Sequence, residues 1–157
     1  MPLPNFVAAL SVRKVTASDL ITGAYNPVLF VDVRSSEYHT TDQIGSSIWI
    51  PLEEITDGNG AERLQALAQA YSQAHQAEPT LILYCTICPG AIQAYRHLQA
   101  TGLKLAVLSG GLTAWRQAIP IHQEANVLTH AIATTRKFLE QASYNTPSEW
   151  HFQSYPG

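Results

Sequence analysis

The sequence is short of charge, of cysteine and of long apolar runs. Charged residues make up 13% of its 157 positions, against 46% hydrophobic residues. The first figure is low for a globular chain and the second is ordinary. Lys and Arg number 9 against 12 Asp and Glu, for a net charge of −3. With no basic cluster among them, nothing marks a nucleic-acid or anionic-membrane surface. No apolar stretch reaches the ~20 residues of a membrane span. Phe6 to Val12 is apolar but short, and no basic residue precedes it, so it does not read as a secretory signal. The two cysteines, Cys85 and Cys88, are too few for a disulfide framework. Two thiolates are also too few for a metal site, and no His stands at a helpful spacing. Neither a metal nor another cofactor is expected. These absences point to a soluble protein of a reducing, cytoplasmic compartment. The length suits one core.

What the chain does contain is alternation. Val28-Leu29-Phe30-Val31-Asp32-Val33, Ser47-Ile48-Trp49-Ile50, Thr80-Leu81-Ile82-Leu83-Tyr84-Cys85 and Lys104-Leu105-Ala106-Val107-Leu108 are short apolar runs without strict polar alternation. Such runs suit strands covered on both faces. Val12 to Val15 reads as a weaker edge strand. Helical patterns lie between them. Thr16 or Ser18 can cap a short helix that Gly23 stops, and Ser35 or Ser36 can cap another carrying Glu37 and Tyr38. Residues 61–74 place Leu64, Leu67, Ala68 and Tyr71 on one face, and residues 91–100 end before Gly102. Gly110-Gly111 opens a last short helix through Trp115. The expected fold is α/β: an open, mainly parallel five-stranded sheet flanked by helices. Residues 12–121 form its domain. Residues 122–157 are read as an extension, with a long helix over 125–142 and an irregular tail carrying Trp150, Phe152 and Tyr155.

Cys85 is the candidate chemical centre. It follows a buried strand, and a helix starts a few residues later, in the loop Cys85-Thr86-Ile87-Cys88-Pro89-Gly90-Ala91. Reactive groups gather at the carboxyl ends of strands in open α/β sheets. Loop amides and a helix N-terminus both favour a thiolate, the nucleophilic form of cysteine. The plainer alternative is a small core hydrophobe at a strand end.

Four blocks resemble the rhodanese family, over about Val12 to Pro120. Leu29-Phe30-Val31-Asp32-Val33-Arg34 with Glu37-Tyr38 looks like its first motif. Ile44, Ser46-Ser47, Ile48 and Ile50-Pro51 look like its second, with Gln43 in place of a His. Ile82-Leu83-Tyr84-Cys85 is similar to the strand leading to the family's active cysteine. Leu108-Ser109-Gly110-Gly111-Leu112-Thr113-Ala114-Trp115, then Ile119-Pro120, is similar to its closing signature, the most specific of the four. The resemblance implies sulfur transfer through a persulfide on Cys85, in two half-reactions. It gives Asp32 and Arg34 a supporting role at the strand end, Gly110-Gly111 a tight turn beside the site, and Trp115 a place in the core. The implied partners are a small sulfur donor and acceptor or the thiol of a carrier protein.

The loop departs from the family's pattern of Cys, two variable residues, Gly, one variable residue, Arg, Ser. Cys88 takes the Gly position, Gly90 the Arg position and Ala91 the Ser position. Without the Arg fork for an anionic donor, and with Pro89 lacking an N–H, weak thiosulfate activity is expected. Cys88 can act as a resolving thiol for Cys85, or it can simply fill space. Two other functions compete: a rhodanese-like module without turnover that binds or regulates a partner, and a Cys85/Cys88 thiol redox sensor. The tail aromatics are either an anchor for a protein partner or a cover for a groove of their own domain.

Overall fold

The computed structural model describes residues 11–131. The chain folds as β1 (Lys14–Val15), α1 (Ala17–Ile21), β2 (Val28–Asp32), α2 (Ser36–Thr41), β3 (Ile48–Trp49), α3 (Leu52–Thr56), α4 (Asn59–His75), β4 (Thr80–Tyr84), α5 (Pro89–Leu98), β5 (Leu105–Leu108), α6 (Gly111–Ala118) and α7 (Ile121–Ala131). The strands form one sheet in the order β1-β5-β4-β2-β3. Every pairing is parallel, with Asp32 opposite Tyr84 and Leu83 opposite Val107. All residues of β2, β4 and β5 are buried, which is why their runs do not alternate.

Successive residues of these strands feed two separate cores. Leu29, Val31, Leu81, Leu83 and Val107 pack with Leu64, Leu67, Ala91 and Ala94 from α4 and α5. Phe30, Ile82, Tyr84, Ala106 and Leu108 pack with Leu20, Leu112 and Trp115 from α1 and α6. The period of two in a strand therefore sorts one apolar run into two layers. Phe30 meets Trp115 edge to face at 5.3 Å and Tyr84 at 6.3 Å.

Local chemistry explains the helix ends. Thr16 and Asp19 form a reciprocal capping box on α1. Ser35 occupies the N-cap of α2 but makes no side-chain capping bond there. The turn of helix α3 has no counterpart in the sequence reading. Helix α4 starts at Asn59 rather than residue 61, because Gly58 takes a φ of 95° and the Asp57 carboxylate accepts the Asn59 N–H at 2.9 Å. Helix α7 starts at Ile121, directly after Pro120, four residues before the expected 125. The rest of the expected helix over 125–142, beyond Ala131, and the tail with Trp150, Phe152 and Tyr155 lie outside the described residues. Among the described residues no helix is long and apolar enough to cross a membrane.

Candidate functional site at the end of strand β4

Cys85 directly follows β4 and is 9% exposed. It continues the side of the strand that carries Leu81 and Leu83, so its side chain belongs to the core covered by α4 and α5. The chain then reverses away from the sheet. Thr86 and Ile87 are exposed, and Ile87 stands 63% open. Cys88 is half-buried against the same cluster as Cys85, and both thiols are free.

The loop is held by its carbonyl groups. Leu112 N–H donates to the Cys85 carbonyl at 2.9 Å, and Thr113 N–H donates to the Thr86 carbonyl at 3.0 Å. Thr113 Oγ1 donates to that same carbonyl at 3.0 Å. The first turn of α6 thus spends its otherwise unpaired N–H groups on the loop. Gly111, at a φ of 62°, makes this approach feasible. A Cβ there would overlap the carbonyl oxygens of Cys85, Thr86 and Ile87 together.

A trans peptide directs N–H opposite to C=O. With these carbonyls turned toward Gly111, the N–H groups of Thr86, Ile87 and Cys88 turn the other way. Among the described residues, none of the N–H groups of Thr86, Ile87, Cys88, Gly90 and Ala91 donates to another protein group. Pro89 contributes none. The start of α5 comes back over the cysteine: a Cβ on Gly90 would lie 3.6 Å from the Cys85 Cβ and 4.0 Å from Val33 Cγ2. The result is a concave backbone with open donors at the N-terminus of a ten-residue helix.

Beside the loop, Asp32 sits at the end of β2, fully buried, and every one of its neighbours is a donor. Arg34 reaches it through Nε at 2.9 Å and through a terminal nitrogen at 2.8 Å, and the Arg34 N–H adds a third bond at 3.0 Å. His39 Nδ1 lies 2.9 Å away. Burial pushes the Asp32 carboxyl up, but hydrogen bonds from His39 and Arg34 outweigh it and hold the group below its ordinary value of 3.8. Arg34 also donates to the Asp42 carbonyl, and its guanidinium lies over the Tyr84 ring at 5.8 Å. His39 stacks on Trp49 at 5.7 Å, and Trp49 Nε1 donates to the Arg34 carbonyl at 2.8 Å. Tyr84 completes the cluster. Its hydroxyl donates to Ser47 at 2.7 Å and accepts from the Ile44 N–H at 3.1 Å. Burial, and then the Asp32 charge, push that phenol far above its ordinary value.

An open cleft of about 410 Å³ meets the loop at Thr86 and continues along Asp42, Leu112, Thr113, Arg116 and Gln117. A second, of about 390 Å³, runs along Arg34, Glu37, Tyr38, Thr41 and Asp42. The sequence reading singled out neither Asp42 nor Arg116. The helical offset of Arg116 from Thr113 was available as a signal, but its acidic partners are remote in the chain. Arg96 and His97 are exposed on α5. Gly110 turns at a φ of 75°, and Trp115 is fully buried. Among the described residues no group of three or more His, Cys, Asp or Glu is placed to hold a metal ion.

The parallel sheet, the cysteine loop at the end of a central strand and the glycine turn that props it now stand together. The rhodanese-like domain family matches residues 16–118, and the chain belongs to that family. The fold is shared with solved structures. A rhodanese-like domain protein from Staphylococcus aureus is 22% identical, with a TM-score of 0.51 over 66% of this chain and 91% of its own. A rhodanese-related protein from Thermoplasma volcanium is 20% identical, with a TM-score of 0.51 over 68% and 92%. The human single-domain sulfurtransferase TSTD1 is 21% identical, with a TM-score of 0.51 over 68% and 97%. Comparison with curated protein sequences found no match.

Proposed function

We propose that this protein is a sulfurtransferase that carries a sulfane sulfur on Cys85. The observation that carries the reading is the pairing of a strand-end thiol with a loop whose Cys85 and Thr86 carbonyls are tied back to α6 and whose N–H groups are left open. The Cys85 thiolate attacks the outer sulfur of a donor persulfide. A Cys85–sulfur bond forms, the donor's S–S bond breaks, and the donor leaves as a thiolate. An acceptor thiolate then takes the terminal sulfur and returns the Cys85 thiolate. The persulfide is anionic, and the N–H groups of Thr86, Ile87, Cys88, Gly90 and Ala91 supply fixed donors for its charge, as an oxyanion hole does for oxygen. Thr86 to Ala91 thus act as the binding loop, with Asp32, Arg34, Gly110, Gly111 and Trp115 as its support. Donor and acceptor are small thiol compounds or the thiol of a carrier protein, and the compartment is reducing, as in a cytoplasm.

The position of Cys88 favours a second reading. It is half-buried on the cluster that contains Cys85 and is the more open of the two thiols. Attack of the Cys88 thiolate on the Cys85 sulfur of the persulfide would form a Cys85–Cys88 disulfide and expel hydrosulfide, with no outside oxidant. Intact mass after treatment with an alkyl persulfide separates the two. Gain of one sulfur atom, absent in Cys85→Ser, is expected for transfer. Loss of two hydrogens, absent in Cys88→Ser, identifies the resolving thiol. An unchanged mass would overturn both and leave a protein-binding module without turnover.

A further inference from the structure

The lysines and arginines of the described residues divide into two groups. Arg34 is paired with Asp32, Arg63 with Glu54, and Arg116 with both Asp42 and Glu124. Arg13, Lys14, Arg96 and Lys104 are exposed and form no ion pair with a described acid. These four are scattered along the chain, and the fold gathers them. An open cleft of about 270 Å³ is lined by Arg13, Tyr95, Gln99, Leu103, Lys104 and Leu105. It lies at the amino end of β5, so it is at the opposite end of the parallel sheet from Cys85. Lys14 follows Arg13. Because the next residue, Val15, packs on the Trp115 core, strand alternation turns Lys14 toward the α5 side. Arg96 stands beside Tyr95 and one helical turn before Gln99.

The walls of this cleft are fixed. Val107 N–H donates to the Arg13 carbonyl at 2.8 Å, and Leu81 N–H donates to the Lys104 carbonyl at 2.8 Å, so both cation-bearing stretches are pinned to the sheet. Gln99 Nε2 donates to the Ser11 carbonyl at 3.3 Å and ties the segment before β1 to the end of α5. Leu105 is buried and Leu103 half-buried, which gives the cleft an apolar wall. Tyr95 is half-buried, and its hydroxyl makes no hydrogen bond among the described residues. Two uncompensated cations call for a dianion. A carboxylate brings one charge, whereas a phosphate ester brings about −1.5 to −2 and three acceptor oxygens. A guanidinium meets phosphate oxygens as a fork, and an ammonium meets them as a point charge. The volume is below the roughly 300–1,000 Å³ of pockets for drug-sized ligands, so the ester is a small one.

We propose that the cleft between β1, β5 and α5 is a binding site for a small phosphate monoester. Arg13 and Lys104 hold the phosphate, and Leu103, Leu105 and the Tyr95 ring take the organic part. Lys14 and Arg96 add attraction at longer range. The site is separate from Cys85 and does not depend on the sulfur-transfer reading.

The test titrates the full chain with phenyl phosphate, using calorimetry for affinity and amide nitrogen–proton shifts for location. Saturable binding is expected, with the largest shifts at Arg13, Lys14 and residues 99–105. Arg13→Gln and Lys104→Gln are each expected to weaken it by about threefold to tenfold, and Lys104→Arg, which keeps the charge, to retain most of it. Tyr95→Phe is expected to weaken it by about twofold to fivefold. Added salt is expected to weaken it as well. The substituted side chains are exposed or half-buried, and the thermal midpoint of each variant checks its fold. No saturable heat at millimolar ligand, equal affinity for benzoate, or an affinity unmoved in either glutamine variant would overturn the proposal. So would shifts confined to Thr86–Ala91, which would place the anion on the open N–H groups of the cysteine loop instead.

Discussion

Two polar centres sit within a few residues of each other at the carboxyl end of the sheet, and they are built on opposite terms. Around Asp32 every polar side chain has a partner: Arg34, His39, Trp49, Tyr84 and Ser47 are joined in one buried network. Around Cys85 the carbonyls of Cys85, Thr86 and Cys88 are satisfied, and the N–H groups of Thr86, Ile87 and Cys88 are left open. A closed network fixes geometry, because any displacement strands a buried charge. An open set of donors stores recognition, because it is complete only when an anion arrives. A closed polar network and an open loop thus lie side by side at the end of the sheet.

The comparison breaks most visibly at the thiol. Cys85→Ser is expected to abolish sulfur loading while leaving the thermal midpoint within a few degrees, as read by intact mass and calorimetry. Asp32→Ala is expected to do the reverse. Removing one partner of a buried ion pair costs about 3–5 kcal/mol, which urea denaturation would measure. The same carboxylate sets an acid limit. Its folded pKa lies below the unfolded value, so its contribution is full above the ordinary 3.8 and is lost as pH falls through the folded value. Denaturation midpoints are expected to be flat above about pH 5 and to fall in the acid range, with a shallower fall in Asp32→Asn.

Two smaller changes sharpen the contrast. Thiosulfate is expected to be a poor donor for the unaltered protein, and efficient thiosulfate-to-cyanide transfer would contradict that. Gly90→Arg restores a cation over Cys85 at a position whose Cβ meets only ordinary contacts. It is expected to raise thiosulfate reactivity about tenfold, an effect of roughly 1.4 kcal/mol. No gain would show that the absent guanidinium is not the cause. Thr113→Val removes one of the two bonds to the Thr86 carbonyl, and about 1 kcal/mol of stability is expected to go with it.

The sheet was legible because burial on both faces leaves unbroken apolar runs, and Cys85 was legible because a strand, a loop and a helix frame it. Gly110-Gly111 was legible as a turn, but its second role was not. Only the folded chain shows three carbonyl oxygens converging on the space Gly111 leaves empty. The Asp42–Arg116–Glu124 clamp was hidden for a different reason: its acids reach one guanidinium from separate elements, and Asp42 lies 74 positions from Arg116. The turn of α3 was missed because Leu52 to Thr56 is too short to show a period. His39 gave no signal, since neither its bond to Asp32 nor its stacking on Trp49 has a sequence spacing that marks it.

Helix α6 holds the cysteine loop at one end, through Leu112 and Thr113, and helix α7 near the other, through Trp115 and Arg116. It is only eight residues long, about 12 Å from end to end. The carbonyls of Cys85 and Thr86 and the carboxylate of Glu124 therefore share one eight-residue footing.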